Sequence, residues 1–471
     1  MNVIKWTIGL AVIALGASPV LAQSEIQTAF NYELIEQAGY CCSDEPSCGC
    51  DEPSCGCEEP SCGCNEPSCG CDDDCCGEQC GGGCGDACSD CCKKGLADGL
   101  SLSGLGECCH GEPFALSDHV LQDSPFTVGG WIGLLYNSDN VRLSQAANDG
   151  LSFGDNPDRL NFSQANLFFE RVADGSAGLD WGFRFDALYG VDAQQTQSFG
   201  NDDARFDNSV GFDNGIYGWA LPQLYFEIAK DDWSIIAGKF YTLIGYEVVT
   251  DPDNFFATNA LTTFNSEPFT HTGALATYTG IEGYSIYAGW TAGWDTGFDQ
   301  ANGGNNFLGG FSTDLSDDVT LTYITTWGNP GLRGVGFGQA DGQGNGYSHS
   351  IVFDVAVTEK LNYVLHHDLV ALSSLGGNVG LNDQTSVSNN LFYTIDDCWA
   401  AGSRIEWWKS DGESFYEITL GLNYRPTANV VIRPELRYDF AASDAGAISQ
   451  GFANENDYNN ETFNVDMIFT F

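Results

Sequence analysis

The chain has 471 residues, with 17 Lys+Arg against 65 Asp+Glu, and its formal charge of −48 excludes a nucleic-acid binder, which needs a basic footprint. A hydrophobic share of 43% excludes wholesale disorder, while charged residues at 17% fall below the ~25% usual for soluble domains. Beyond the first 22 residues no run is apolar for the ~20 positions of a membrane helix, which leaves a soluble all-β protein or a transmembrane β-barrel.

Residues 1–22 read as a cleaved secretory signal. Lys5 supplies the positive start, Ile8–Leu15 the apolar core and Val20-Leu21-Ala22 the small-residue cleavage site. Cleavage places the remaining chain outside the cytoplasm, where thiols can oxidise.

Residues 23–119 form a Cys-rich, acidic, low-complexity extension. Nineteen of the 20 cysteines fall between Cys41 and Cys109, and Cys398 stands apart. The unit Glu-Pro-Ser-Cys-Gly-Cys recurs four times, placing Cys48 and Cys50, Cys55 and Cys57, Cys62 and Cys64, and Cys69 and Cys71 at fixed spacing. Pro and Gly in every unit forbid a helical heptad, and little but Cys is apolar, so this tail is either disordered or ordered by disulfides or metal. Paired thiolates at that spacing suit Zn or Cu(I), but an extracytoplasmic compartment favours disulfides, within the tail or to other envelope proteins. Cys398 reads as a lone small apolar residue.

From residue 120 to 471 the pattern becomes β-like. Candidate strands run Thr127–Tyr136, Leu160–Val172, Leu179–Tyr189, Trp219–Ala229, Trp233–Tyr241, His271–Thr279, Tyr284–Trp294 and Asn306–Asp314. They continue through Val319–Gly328, Tyr347–Thr358, Lys360–Ala371, Val387–Ile395, Trp399–Lys409, Phe415–Tyr424, Asn429–Phe440 and Glu461–Phe471. That is 16 strands within a range of 14–18, each near the ~9–11 residues that a tilted membrane strand needs. The fold class is therefore all-β, an antiparallel transmembrane β-barrel behind the Cys-rich tail. A soluble β-rich carbohydrate-binding protein is the rival.

Alternation divides the faces. Tyr416, Ile418, Leu420 and Leu422 oppose Glu417 and Thr419, and Leu436 and Tyr438 oppose Arg433, Glu435, Arg437 and Asp439. Ile405 and Trp407 oppose Arg404 and Glu406, and Trp181, Phe183 and Phe185 oppose Arg184 and Asp186. Apolar faces suit lipid and polar faces a wet lumen, so the charged residues named here are the candidate pore lining. Phe463, Val465, Met467, Phe469 and Phe471 alternate to a terminal Phe. That ending resembles the last strand which Gram-negative outer-membrane proteins present to their barrel-assembly machinery.

Ala237-Gly-Lys-Phe-Tyr-Thr-Leu-Ile-Gly-Tyr-Glu-Val-Val-Thr-Asp-Pro-Asp-Asn-Phe-Phe256, with Thr270–Ala274, Tyr287–Asp295 and Arg433–Asp439, resembles the β-barrel porin-2 (OmpL-like) family over residues 126–471. The resemblance implies an outer-membrane barrel acting as a passive pore for small hydrophilic solutes, with no catalytic residues. A homotrimer is the candidate assembly, and the tail is expected in the periplasm.

Residues 120–471 hold 45 Asp+Glu and 14 Lys+Arg, a balance of −31, which predicts cation preference unless Ca in the acidic loops neutralises the surplus. Residues 247–268 are a candidate constriction loop: Glu247, Asp251 and Asp253 surround a polar turn, and Phe255-Phe256 needs a wall to pack on. The bland alternative is an outer loop touching lipid or a neighbouring subunit. His366-His367-Asp368 has its histidines on opposite faces of a strand, against a metal site there. No catalytic motif appears in a fitting context, so an enzyme is not expected. An envelope-anchoring role centred on the tail is the alternative function.

Overall fold

A computed structural model of the chain describes residues 113–122, 124–138, 156–198, 214–298, 303–331, 345–372, 383–410, 412–441 and 459–471. The signal peptide, the Cys-rich extension and the thiolates proposed there as metal ligands lie outside the described residues.

Sixteen antiparallel strands form one closed sheet, each paired to its sequence neighbours. They are β1 (Thr127–Asn137), β2 (Arg159–Arg171), β3 (Asp180–Gly190), β4 (Gly218–Ala220 and Leu224–Lys230), β5 (Trp233–Tyr241), β6 (Thr270–Ile281), β7 (Tyr284–Trp294) and β8 (Asn305–Ser316). The second half comprises β9 (Val319–Asn329), β10 (Gly346–Thr358), β11 (Leu361–Leu372), β12 (Gln384–Thr394), β13 (Trp399–Ser410), β14 (Glu413–Thr427), β15 (Val430–Ala441) and β16 (Asn459–Thr470). The seam closes where β1 pairs with β16, Trp131 opposite Thr470 and Leu134 opposite Met467. Gly130 and Phe471 then exchange two backbone hydrogen bonds of 2.8 and 2.9 Å.

Every predicted strand is present. One differs in form, because β4 is interrupted after Ala220. Pro222 has no N–H to give to a ladder, so the sheet resumes only at Leu224. A bulge on β14 likewise shifts register between Tyr424 and Thr427, around Pro426.

Exposure settles which face meets what. Leu436 is 60% exposed and Leu420 55%, whereas Arg437 is 3% and Thr419 0%. Apolar side chains ring the outside while charges are enclosed, the inverse of a soluble sandwich, where the apolar faces would meet. Aromatic pairs mark both rims: Trp233 tilted against Tyr278 and Trp399 stacked on Tyr424 at one, Tyr416 stacked on Phe440 at the other. Rings with a polar tip suit the level where lipid meets water.

The two rims differ in their connections. At one, turns such as Asp231-Asp232, Glu282-Gly283, Asp317-Asp318 and Glu359-Lys360 are two residues long. At the other, most connections are long and include α2 (Val191–Thr196) and α3 (Leu261–Ser266). With an even strand number, β1 begins and β16 ends on the short-turn rim. A short helix, α1 (Leu116–Val120), lies there ahead of β1, with Ser117 bonded to both backbone groups of Val128. The Asn429 side chain in the β14–β15 turn bonds the N–H and C=O of Phe114. None of the described helices is long and apolar enough to cross a membrane.

Candidate functional site: a loop held inside the barrel

The connection between β5 and β6, residues 242–269, crosses the interior. It folds partly on itself, through a 3-10 turn at Asp251–Asp253 and α3. The Asn254 side chain accepts from Val248 N–H at 3.0 Å and donates to the carbonyls of Val248 and Thr250. Irregular backbone leaves N–H and C=O groups unpaired, and inside a barrel these need partners.

The inward charges of β13–β16 are those partners, and the division of labour is regular. Arginines take the loop's carbonyls. Arg404 Nη1 donates to Thr258 O at 2.9 Å, Arg437 Nη1 to Asn259 O at 2.6 Å, and Arg433 Nη1 to Asp251 O at 2.9 Å and to Asn254 O. Carboxylates take the amides. Glu435 accepts from Ala257 N–H at 2.8 Å and Thr258 Oγ1 at 2.5 Å, and Glu406 from Leu261 and Thr262 N–H at 2.6 and 2.9 Å. Within the loop, Glu247 accepts from Ala260 N–H and also meets Arg404.

Each arginine is neutralised on the wall as well: Arg404 by Glu417 at 2.7 Å, Arg433 by Asp466 at 2.5 Å and Arg437 by Asp439 at 2.8 Å. Charge-assisted bonds of this kind are the strong ones, and all these groups are buried under the loop. Arg184 is arranged differently. It bonds Glu170 and Asp186 on β2 and β3 at 2.8 and 2.5 Å, stands 4.0 Å over the Phe168 ring, and keeps 15% of its side chain exposed.

Apolar contacts complete the seating. Phe255 and Phe256 pack with Val352, Val364, Phe392 and Ala400. Space for the rings comes from paired glycines: a Cβ on Gly402 would lie 2.4 Å from the Phe255 ring, and one on Gly421 2.9 Å from Phe256. On the opposite wall Ile236, Leu275, Tyr287, Leu308 and Ile324 turn inward and pack with Phe240, Leu243 and Ile244. The interior thus has a charged half that grips the loop backbone and an apolar half that covers the loop's root.

Enclosure shifts the loop's own acids. Burial pushes the Asp251 carboxyl up to about 7, against the pull of Arg433. Asp253 is raised by burial too, and Glu267 is held well above the usual range by burial and by the neighbouring Asp368 carboxylate.

Of the five loop positions singled out in the sequence, Glu247 meets Arg404, Asp251 accepts from Ser163 on β2, Phe255 and Phe256 pack on β10–β13, and Asp253 accepts from Thr250 within the loop. The inward positions Arg404, Glu406, Glu417, Arg433, Glu435, Arg437 and Asp439 surround them, while Arg184 and Asp186 bond to β2 and β3. On β16, Phe463, Met467 and Phe469 face outward and are exposed, Val465 is half-buried, and Phe471 follows the strand at the seam. Sequence reading did not single out Asp466, Glu267, Gly402 or Gly421. Inward glycines at paired positions on adjacent strands were the available signal for the last two. Cys398 corrects an expectation: it is disulfide-bonded, not a lone apolar residue, and it sits buried in the β12–β13 turn with its carbonyl bonded to Arg425 N–H.

The family model described as "Putative beta-barrel porin-2, OmpL-like" matches residues 125–471. The chain belongs to this family. The porin is also similar to solved structures at low identity: an anion-selective porin from Comamonas acidovorans (10% identity, TM-score 0.49, covering 74% of this chain and 99% of that one). Others are an outer-membrane-expressed OmpT of Vibrio cholerae (12%, 0.45, 74% and 99%) and a mutant porin of Rh. blastica (12%, 0.43, 74% and 100%). No curated protein is significantly similar to it.

Proposed function

We propose that this outer-membrane porin passes small hydrophilic solutes by diffusion past the inward-folded loop, with a preference for cations. The observation that carries the reading is the clamp of three arginines, Arg404, Arg433 and Arg437, on carbonyls of residues 251–259. A barrel of 16 strands is wide enough for an aqueous channel, and a loop fixed across it sets the narrowest section. Those arginines are each spent on a wall carboxylate, while residues 120–471 hold 45 Asp+Glu against 14 Lys+Arg, a surplus that favours cations. Bound Ca at acidic outer loops would moderate that preference.

The test is a planar-bilayer recording of the refolded chain, with the reversal potential measured in a salt gradient. Stepwise conductance with potassium favoured over chloride is expected. A folded barrel that conducts nothing, or favours chloride, removes the reading.

A role for the tail rests on Cys398. Cys398 is disulfide-bonded, and the other 19 cysteines lie between Cys41 and Cys109, which supports the extension as its covalent partner. The bonds from Asn429 to Phe114 put the end of that extension at the same rim. Short turns of such barrels face the periplasm, which supports a periplasmic tail whose thiols serve for cross-links or for Zn or Cu(I). Phe463–Phe471 is the segment proposed to meet the assembly machinery, and a homotrimer is the proposed assembly.

A further inference from the structure

The interior holds one group that neither the clamp nor the channel reading uses. Glu267, just past α3, comes against His366 and Asp368 on β11, and the three offer ligand atoms all within 4.8 Å of one another. His366 and Asp368 are two apart on a strand and share its inward face, while His367 turns away to bond Ser386 O. His366 Nε2 lies 2.8 Å from Asp368 Oδ1, 3.0 Å from Ser350 Oγ and 3.6 Å from Glu267 Oε1. Three oxygens therefore converge on one ring nitrogen, which can carry one hydrogen at most. Glu267 Oε1 is buried, points into the group and accepts no hydrogen bond from any described residue.

The separations match a cation's needs. Ligands at about 2.1 Å from a tetrahedral ion stand roughly 3.4 Å apart, and the measured edges of 2.8 and 3.6 Å bracket that value. The surroundings orient the donors. Thr262 Oγ1 bonds the second Asp368 oxygen at 3.3 Å and Ser386 Oγ at 2.8 Å. Gly245, at φ 95°, makes room for Glu267, since a Cβ there would meet Oε2 at 2.0 Å. Charge also favours an ion: two carboxylates meet here, while Arg404 nearby is committed to Glu247 and Glu417.

We propose that Glu267, His366 and Asp368 bind one divalent first-row metal ion, which pins the far arm of the inner loop to β11. One imidazole with two carboxylates suits Mn²⁺, Fe²⁺ or Zn²⁺ rather than the soft ions favoured by thiolates. The rival occupant is a proton shared between the two carboxyls.

The experiment uses the full chain, refolded in detergent with free thiols alkylated, so that the tail does not compete. Mn²⁺ is titrated and followed by electron paramagnetic resonance, with pulsed detection of nitrogen coupling. One tightly bound Mn²⁺ per chain with an imidazole nitrogen signal is expected. His366→Gln should abolish that signal and weaken binding at least tenfold; Glu267→Gln should weaken binding to a similar degree while keeping the nitrogen signal. Heat-modifiable gel migration checks that each variant is folded, and Glu267→Gln alone decides the matter if His366→Gln does not fold. No bound Mn²⁺, nitrogen coupling that persists without His366, or affinity unchanged by Glu267→Gln overturns the proposal. Binding is read without conductance, so its failure is separate from failure of the channel reading.

Discussion

Arg404 on β13 and Glu247 at the entry of the inner loop are 157 residues apart in the chain, yet their Nη1 and Oε1 atoms meet at 2.5 Å. The same guanidinium bonds Glu417 on β14 and the Thr258 carbonyl, so one buried side chain joins two wall strands to both arms of the loop's first half. Replacing it with Met leaves two carboxylates buried without their cation, a loss that costs about 3–5 kcal/mol in comparable pairs. Arg404→Met is expected to lower stability by that order in detergent unfolding and to raise single-channel conductance at least twofold as the loop swings free. Unchanged conductance in a folded variant would show that the clamp does not fix the loop.

The seat of the two phenylalanines allows a separate perturbation. Gly402→Val drives a branched side chain into the space of the Phe255 ring, which an added Cβ alone would already approach to 2.4 Å. Phe255→Ala instead empties the pocket made with Val352, Val364, Phe392 and Ala400, at about 3–5 kcal/mol for a buried Phe. Both are expected to disturb the loop and leave the sixteen strands intact, since neither residue contributes to the lipid-facing surface. The check is a pairing of unchanged β circular dichroism with altered channel noise and open-state conductance. Loss of the β signal in either variant would mean that the loop is required for the barrel to form.

Strand positions were legible because membrane strands have one apolar face, and the period of two marks each of them: Leu420 and Leu436 outward, Thr419 and Arg437 inward. The same rule is silent where both faces are apolar. On β5–β9, Ile236, Leu275, Tyr287 and Leu308 point inward, and nothing in their alternation says that a loop covers them. Charged inward residues announced a polar interior, but their pattern cannot tell a lining bathed in water from a wall whose charges are consumed by loop backbone. That distinction needs partners more than 140 residues away, such as Leu261 for Glu406 and Ala257 for Glu435. Similarly, His366 and Asp368 share a face at a spacing the sequence shows, while Glu267 reaches them only through the loop's path.

Cys398 gives a chemical handle on the extension. It is disulfide-bonded, and the proposed tether takes its partner from the cysteines between Cys41 and Cys109. Denaturing the full chain with iodoacetamide and no reductant should leave Cys398 unalkylated by mass spectrometry, and prior reduction should expose it. A peptide spanning Cys398 linked to a peptide of the extension is the expected cross-link, absent in Cys398→Ser. Full alkylation of Cys398 without reductant would sink the tether. Loss of the cross-link should change folding yield little, because the 16 strands pair without it.

Asp251 makes the channel's response to pH a test of where the loop sits. In the unfolded chain this carboxyl ionises at its ordinary value of 3.8; in the folded chain burial beside Asp466 and Asp253, only partly offset by Arg433 and Ser163, carries it to about 7. Between roughly pH 4 and pH 7 the native state therefore holds a proton that the unfolded state has released. From this group stability is greatest below about pH 4, falls as pH rises through that window and is flat above about 7. The lumen meanwhile gains one negative charge as pH passes 7, so the cation-to-anion permeability ratio should climb with a midpoint near that value. Asp251→Asn, which keeps the shape but cannot ionise, is expected to remove both the permeability step and that part of the stability slope. An identical pH profile in wild type and Asp251→Asn would mean that this carboxyl titrates in open water, away from the wall formed by Ser163 and Arg433.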